Sequence, residues 1–137
     1  MTAAMSEFRI YGRDHDETFY ALVDEIDYQW ALRWKWSELW SRGHTKVYLR
    51  RVFQIIIGPD RYEDGKRIQT RKQSTVFLHR EICWREHGPP PPDKPLSDHR
   101  NGDELDCRRK NLRWADAGMN ARNINQNSRS LARRLGL

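Results

Sequence analysis

The chain has 137 residues and a formal net charge of +6, a length that fits one or two compact units and excludes a large multidomain enzyme. Only 37% of residues are hydrophobic and the mean hydropathy is −0.97, so six Trp, five Tyr and four Phe must supply much of a small core. No stretch approaches the roughly 18 apolar residues of a membrane span, and the opening MTAAMSEFRI lacks the charged-then-apolar order of a signal peptide; a soluble, intracellular protein is expected.

The charge is unevenly placed. Residues 1–41 hold four basic and eight acidic side chains, residues 42–80 hold ten and three, and residues 81–137 hold eleven and eight. The last 21 residues, from Ala117, contain four Arg and no acid. A basic middle and a basic end favour a polyanionic partner, above all nucleic acid, over a merely solvated surface.

In chain order, residues 1–17 are polar and predict a weakly ordered start. Thr18 to Val23 reads as a short strand. Asp24 is placed to cap a helix running through Trp34, with Ile26, Trp30 and Trp34 on one core-facing side. Trp36–Trp40 and Thr45–Ile57 predict two strands joined by the turn Ser41-Arg42-Gly43-His44, giving a small antiparallel sheet with a basic face. Gly58-Pro59-Asp60 and Glu63-Asp64-Gly65 punctuate a loop that continues through the basic stretch Arg67–Lys72. A helix is expected over Ser74–Glu86, ended by Gly88 and the spacer Pro89–Pro92.

Two cysteines, Cys83 and Cys107, are too few for a disulfide scaffold or a four-cysteine zinc site, and both are expected as reduced thiols. His79, Cys83 and His87 recur every four residues and would share a helical face. With Cys107 they could in principle hold zinc, but Cys and His are ordinary contents of a packed helix and no zinc is expected.

The most informative stretch is SDHRNGDELDCRRKNLRW, residues 97–114. Asn101-Gly102 is a tight-turn signal between two short strands, and Asp116 is placed to cap a last helix despite Gly118. Singly, these residues have plain readings: Asp98-His99 a hydrogen-bonded structural pair, Asn111 a turn residue, Asn120 an exposed amide. Their ordered combination is harder to dismiss. Leu78-His79-Arg80, Asp98-His99, Asn101-Gly102, Leu105-Asp106, Arg108-Arg109, Asn111-Leu112-Arg113 and Asn120 with Arg122-Asn123 resemble the phage-type HNH endonucleases, related to homing enzymes, whose core is a ββα-metal motif. Ala21 to Asp24, Asp27 to Trp30 and Lys35-Trp36 are similar to the N-terminal portion found in the same group. The resemblance spans residues 20–125 and is most specific over 96–123.

The resemblance implies an α+β protein: a small N-terminal antiparallel sheet with helices, then a C-terminal ββα-metal core. The expected divisions are 1–17, a β-rich DNA-binding region 18–73, the nuclease core 74–125 and a basic tail 126–137. It also implies Asp98 and Asn120 as metal ligands, His99 as general base and Asn111 as the asparagine that braces the loop. Asn120 stands where many relatives have His, Cys107 where they often have Asn, and Arg100 where Ile or Lys is common. Asn at 120 occurs in a subset of the phage enzymes, and neither Cys107 nor Arg100 removes a proposed catalytic atom. Asp and Asn offer only oxygens, which suits Mg²⁺ or Mn²⁺, and a neutral imidazole with an ordinary pKa of about 6.5 can take a proton from water. Adjacent strand residues point to opposite faces, so Asp98 and His99 must lie where the strand twists or ends if both are to reach one phosphate.

The expected function is metal-dependent cleavage of double-stranded DNA by a monomer or homodimer, in the cytoplasm of a phage-infected host. Lys46, Arg50, Arg51, Arg71, Lys72, Arg108, Arg109, Arg113 and Arg122 are the candidate DNA contacts, with Arg67, Arg129, Arg133 and Arg134 as further basic positions. The alternatives are a non-cleaving DNA-binding module on the same fold and an accessory nuclease of a phage packaging machine that works beside a terminase.

Overall fold

A computed structural model describes residues 7–13, 19–43 and 46–124. Strand β1 (Phe8–Tyr11) pairs antiparallel with β2 (Tyr20–Val23), and α1 (Glu25–Ala31) follows. Strands β3 (Ser37–Trp40), β4 (Val47–Ile56) and, later in the chain, β7 (Arg71–Phe77) form an antiparallel sheet in the order β3-β4-β7. Between β4 and β7 stands a small hairpin of β5 (Arg61–Glu63) and β6 (Lys66–Ile68). The chain then forms α2 (Leu78–His87), the antiparallel pair β8 (Leu96–His99) and β9 (Leu112–Ala115), and α3 (Ala117–Ile124).

Several expectations need correction. Residues 8–11 are a strand: Ile10 is buried in the core and Phe8 packs on Tyr28 with ring centroids 5.2 Å apart. The helix after Asp24 ends at Ala31, and the expected apolar face is rotated, with Ile26 65% exposed while Asp27 and Ala31 are buried. Ion pairing decides that rotation, because the Asp27 carboxylate meets Arg85 and Arg109. Trp34 lies past the helix end and still packs edge-on against Trp30, at 5.2 Å. The expected loop through Lys72 contains the β5–β6 hairpin, whose turn residues Asp64 and Gly65 both have positive φ, 51° and 78°. That is the backbone of a two-residue hairpin turn favoured by Asp-Gly, a signal present in the sequence and read only as loop punctuation. The helix expected from Ser74 starts at Leu78, since Thr75-Val76-Phe77 prolong β7.

Other expectations hold. Gly88, at φ 74°, ends α2, and the Asp116 carboxylate accepts the Met119 N–H at 2.8 Å, capping α3. The expected stretches for β2, β3 and β4 are correct to within two residues or so, although Thr18, His44 and Thr45 lie outside the described residues, as do 1–6, 14–17 and the tail from 125.

The expected divide at 73/74 falls inside β7, and the core does not respect it. Ile10, Ala21, Trp36 and Leu49 pack in one cluster with Leu78, Ile82, Leu105, Leu112 and Trp114. Backbone bonds add to this: Leu22 N–H donates to the Leu105 carbonyl and Cys107 N–H to the Leu22 carbonyl, both at 2.8 Å. The N-terminal strands are therefore part of the framework that holds the loop between β8 and β9.

Candidate active site

His99 is the last residue of β8, and the chain turns at Arg100. The strand end resolves the alternation problem: Asp98 and His99 are both buried, at 3% and 7% exposure, and both line one small pocket with Lys46, Tyr48, Gly102, Glu104 and Asn120. Asn120 reaches it from the first turns of α3, which packs on β8. A wider groove of about 410 Å³ opens beside it, lined in part by Tyr48, Phe77, His79, His99 and Asn120.

The loop between β8 and β9 is rigid by hydrogen bonding. Asn111 Oδ1 accepts the Asn101 N–H at 3.0 Å, and Asn111 Nδ2 donates to the Asp106 carbonyl at 2.8 Å. Asn101 Nδ2 donates to Asp106 Oδ2 at 2.9 Å, while Asn101 Oδ1 accepts the Asp103 N–H at 2.8 Å. Gly102 N–H closes onto the His99 carbonyl at 3.0 Å, and its positive φ of 74° suits glycine. Asn111→Ala would strand an N–H and a carbonyl at opposite sides of this loop, and a loss of about 2 kcal/mol is expected. Urea unfolding checks it; a stability change below about 0.5 kcal/mol would show that the brace is dispensable.

The electrostatics follow from burial. Burial pushes the His99 imidazole down to about 4, against the pull of the Asp106 carboxylate and with Lys46 adding to the fall. His79, whose ring lies 4.8 Å from that of His99, is held well below the ordinary histidine value, chiefly by burial and then by the neighbouring imidazole. Both rings are neutral near pH 7. Burial also raises the Tyr48 hydroxyl, with Glu104 and Asp98 contributing.

The cation positions require the largest revision. Lys46 does not lie on an outer basic strand: it is buried beside the pocket, with Nζ 3.2 Å from the Gly102 carbonyl and 3.7 Å from Glu104 Oε2. Arg51 pairs with Glu81 at 2.7 Å and lies over the Trp34 ring. Arg108 grips Asp106 through two bonds of 2.8 Å, and Arg109 binds Asp27 and Glu86. Arg113 Nε donates to Asp98 Oδ2 at 2.9 Å. These five are engaged within the protein because the buried acids Asp27, Asp98, Glu104 and Asp106, together with Glu81 and Glu86, need partners. Arg71, Lys72 and Arg122 are exposed, and Arg50 is half-buried. Nothing in the sequence signalled Tyr48 and Glu104 as pocket residues, since Lys46 and Gly102 meet across 56 positions.

The grouping weighed for zinc has other partners. His87 Nε2 donates to the Leu112 carbonyl at 3.1 Å, and burial pushes the Cys83 thiol up to about 12, far from a ligating thiolate. No three of His, Cys, Asp and Glu are grouped to hold a metal among the described residues. Asp98 and Asn120 are a carboxylate and a carboxamide, a pair that such a grouping does not include.

Residues 76–122 match the family model described as HNH endonuclease, and this interval contains β8, β9, all of α2 and most of α3. This segment is of the HNH nuclease type. No curated protein and no solved structure matches the chain. The HNH segment carries Asp98, His99, Asn111 and Asn120, whereas Lys46 and Tyr48 come to the pocket from outside it. HNH nucleases act on DNA and generally use divalent metal ions. The oxygen donors of Asp98 and Asn120 fit a hard cation, and Arg113, fixed on one Asp98 oxygen, orients that carboxylate from behind.

Proposed function

We propose that the protein is a divalent-metal-dependent DNA endonuclease in which His99 is the general base and Asp98 and Asn120 hold the cation. The observation that carries this reading is the convergence of Asp98, His99 and Asn120 on one pocket at the end of β8, inside the HNH segment. When bound, a hard cation such as Mg²⁺ or Mn²⁺ supplies charge neutralisation at the phosphate and the leaving oxygen. The protein groups do the rest. The neutral His99 imidazole accepts the proton of the attacking water, Asn111 holds the loop that aims it, and Lys46 adds fixed positive charge beside the phosphate. A homing-like or phage-encoded enzyme fits this reading. No helix among the described residues is long and apolar enough to cross a membrane. With one such pocket among the described residues, a nick is the expected product of a monomer and a double-strand break that of a pair of chains.

A supercoiled-plasmid assay with and without Mg²⁺ tests the proposal. The expected result is relaxed or linear product only with metal, and a loss of about 100-fold or more in Asp98→Ala, compared at a temperature where circular dichroism shows the variant folded, because the substitution also takes away the partner of Arg113. Shifted but uncut plasmid would leave the non-cleaving module as the reading. Cleavage only when a terminase is added would place the chain in a packaging machine. Unaltered divalent-ion binding in Asp98→Ala would remove Asp98 as a ligand.

A further inference from the structure

Strands β4 and β7 continue beyond the core as a two-stranded ribbon, paired from Arg50 opposite Phe77 to Ile56 opposite Arg71. Six steps of about 3.3 Å make it roughly 20 Å long. Alternation along β4 puts Tyr48, Arg50, Val52, Gln54 and Ile56 on one face, and the register adds Thr75, Gln73 and Arg71 of β7 to it. Tyr48 lines both the small pocket and the groove beside it, so this face begins at the candidate active site and runs outward. Val52, Gln54, Ile56, Arg71, Gln73 and Thr75 of this face are exposed and Arg50 and Phe77 half-covered; on the opposite face Arg51, Phe53, Ser74 and Val76 are half-covered, and only Ile55 and Lys72, at the outer end, are exposed.

Resting on the nuclease reading above, we infer that this ribbon face enters the major groove beside the cleaved bond and reads base edges through Gln54, Arg71 and Gln73. The major groove admits a two-stranded ribbon, and a 20 Å ribbon passes about six base pairs. Residues 50–73 hold seven basic and three acidic side chains, which selects a polyanion. The face interleaves amide, guanidinium and hydroxyl groups with single apolar residues, and has no continuous apolar strip for a protein partner. Arg71 is preorganised: Nη1 donates to Gln54 Oε1 at 3.1 Å and Nη2 to Gln69 Oε1 at 2.9 Å. That leaves further donors on its fork. Arginine pairs with the O6 and N7 of guanine and glutamine with the N6 and N7 of adenine, so the strand read should be rich in purines.

The test is selection of randomised duplexes retained by the full chain in chelator, followed by sequencing. Wild type is expected to enrich a purine-containing window of about six base pairs. Gln54→Ala with Gln73→Ala should lose that preference by roughly 5- to 150-fold at each position read. Gln73→Arg should change the preferred base at one position from adenine to guanine, which guards against a variant that only loses structure. An absent preference, a preference that persists in the double variant, or a Gln73→Arg that shifts nothing overturns the inference. A wild-type dimer split by Ile56→Asp, with no base preference, would instead give the face to a second copy. Plasmid cleavage in Mg²⁺ is scored separately: enrichment without any cleavage would sink the nuclease reading and leave the base-reading ribbon standing.

Discussion

His99→Ala should cleave supercoiled DNA about 10²- to 10⁴-fold more slowly than wild type, the range contributed by a positioned general base, while DNA affinity in chelator changes little. Its pH dependence carries the finer test. With an ordinary imidazole, kcat/KM would rise through about pH 6.5. Burial instead holds the His99 imidazole at about 4, because the pocket disfavours the charged form. The base is then already neutral across the physiological range. The His99-linked rise of kcat/KM should be complete before pH 6, with its midpoint near the buried value of about 4, and should be missing from His99→Ala. Circular dichroism over the same range separates this limb from acid unfolding. A mutant with near-normal rates would refute the base assignment, and a His99-dependent limb centred near 6.5 would show that the imidazole is not desolvated in the free enzyme.

The same burial bears on stability. His79 and His99 are both held below the ordinary histidine value in the fold, so the unfolded chain binds more protons once the pH falls below about 6.5. Stability is full above that value and declines as acid is added, which favours cleavage assays at neutral pH or above.

How much of this was legible in the sequence varied with the range of the interactions involved. The turn at Asn101-Gly102, the cap at Asp116 and the stop at Gly88 are short-range events, and each lies where local chemistry places it. The HNH order likewise depends on spacing within one segment. What escaped was set by distant partners. Ile26 has the periodicity of a core residue, yet α1 turns it to solvent because Asp27 must face Arg85 and Arg109, 58 and 82 positions away. Lys46 sits at the head of a basic strand, and only the fold brings it against Gly102 and Glu104. A count of basic residues cannot separate arginines that meet a ligand from those that neutralise buried acids.

Arg109 shows that distinction at its sharpest, and its replacement separates the two roles. Asp27 is fully buried, and Arg109 contributes Nε at 2.9 Å and Nη2 at 2.8 Å to its two oxygens, leaving Arg85 as the other partner. Burial alone would raise the Asp27 carboxyl, but hydrogen bonds from Arg109 and then Arg85 overcome it, and the group is held below its ordinary 3.8. Arg109→Ala leaves the charge buried with one of these three bonds, that from Arg85. Removing one partner of a buried pair costs about 3–5 kcal/mol, and because Arg109 is itself partly solvated the lower end, about 3 kcal/mol, is expected. Unfolding in urea at pH 7 measures it. Since Arg109 stabilises the carboxylate in the fold, the deficit should be full at neutral pH and shrink in acid, beginning where the less supported Asp27 of the variant takes up a proton and ending where the wild-type Asp27 does. The Arg109 side chain also binds Glu86 of α2, so the substitution loosens the union of α1, α2 and the turn that carries Asn111, while the backbone N–H bond from residue 109 to Asp24 remains. A DNA contact would behave in the opposite way: Arg109→Ala would weaken DNA binding and flatten its salt dependence while leaving urea unfolding unchanged. That outcome would return Arg109 to the DNA surface and undo its assignment as a tie beneath the HNH loop.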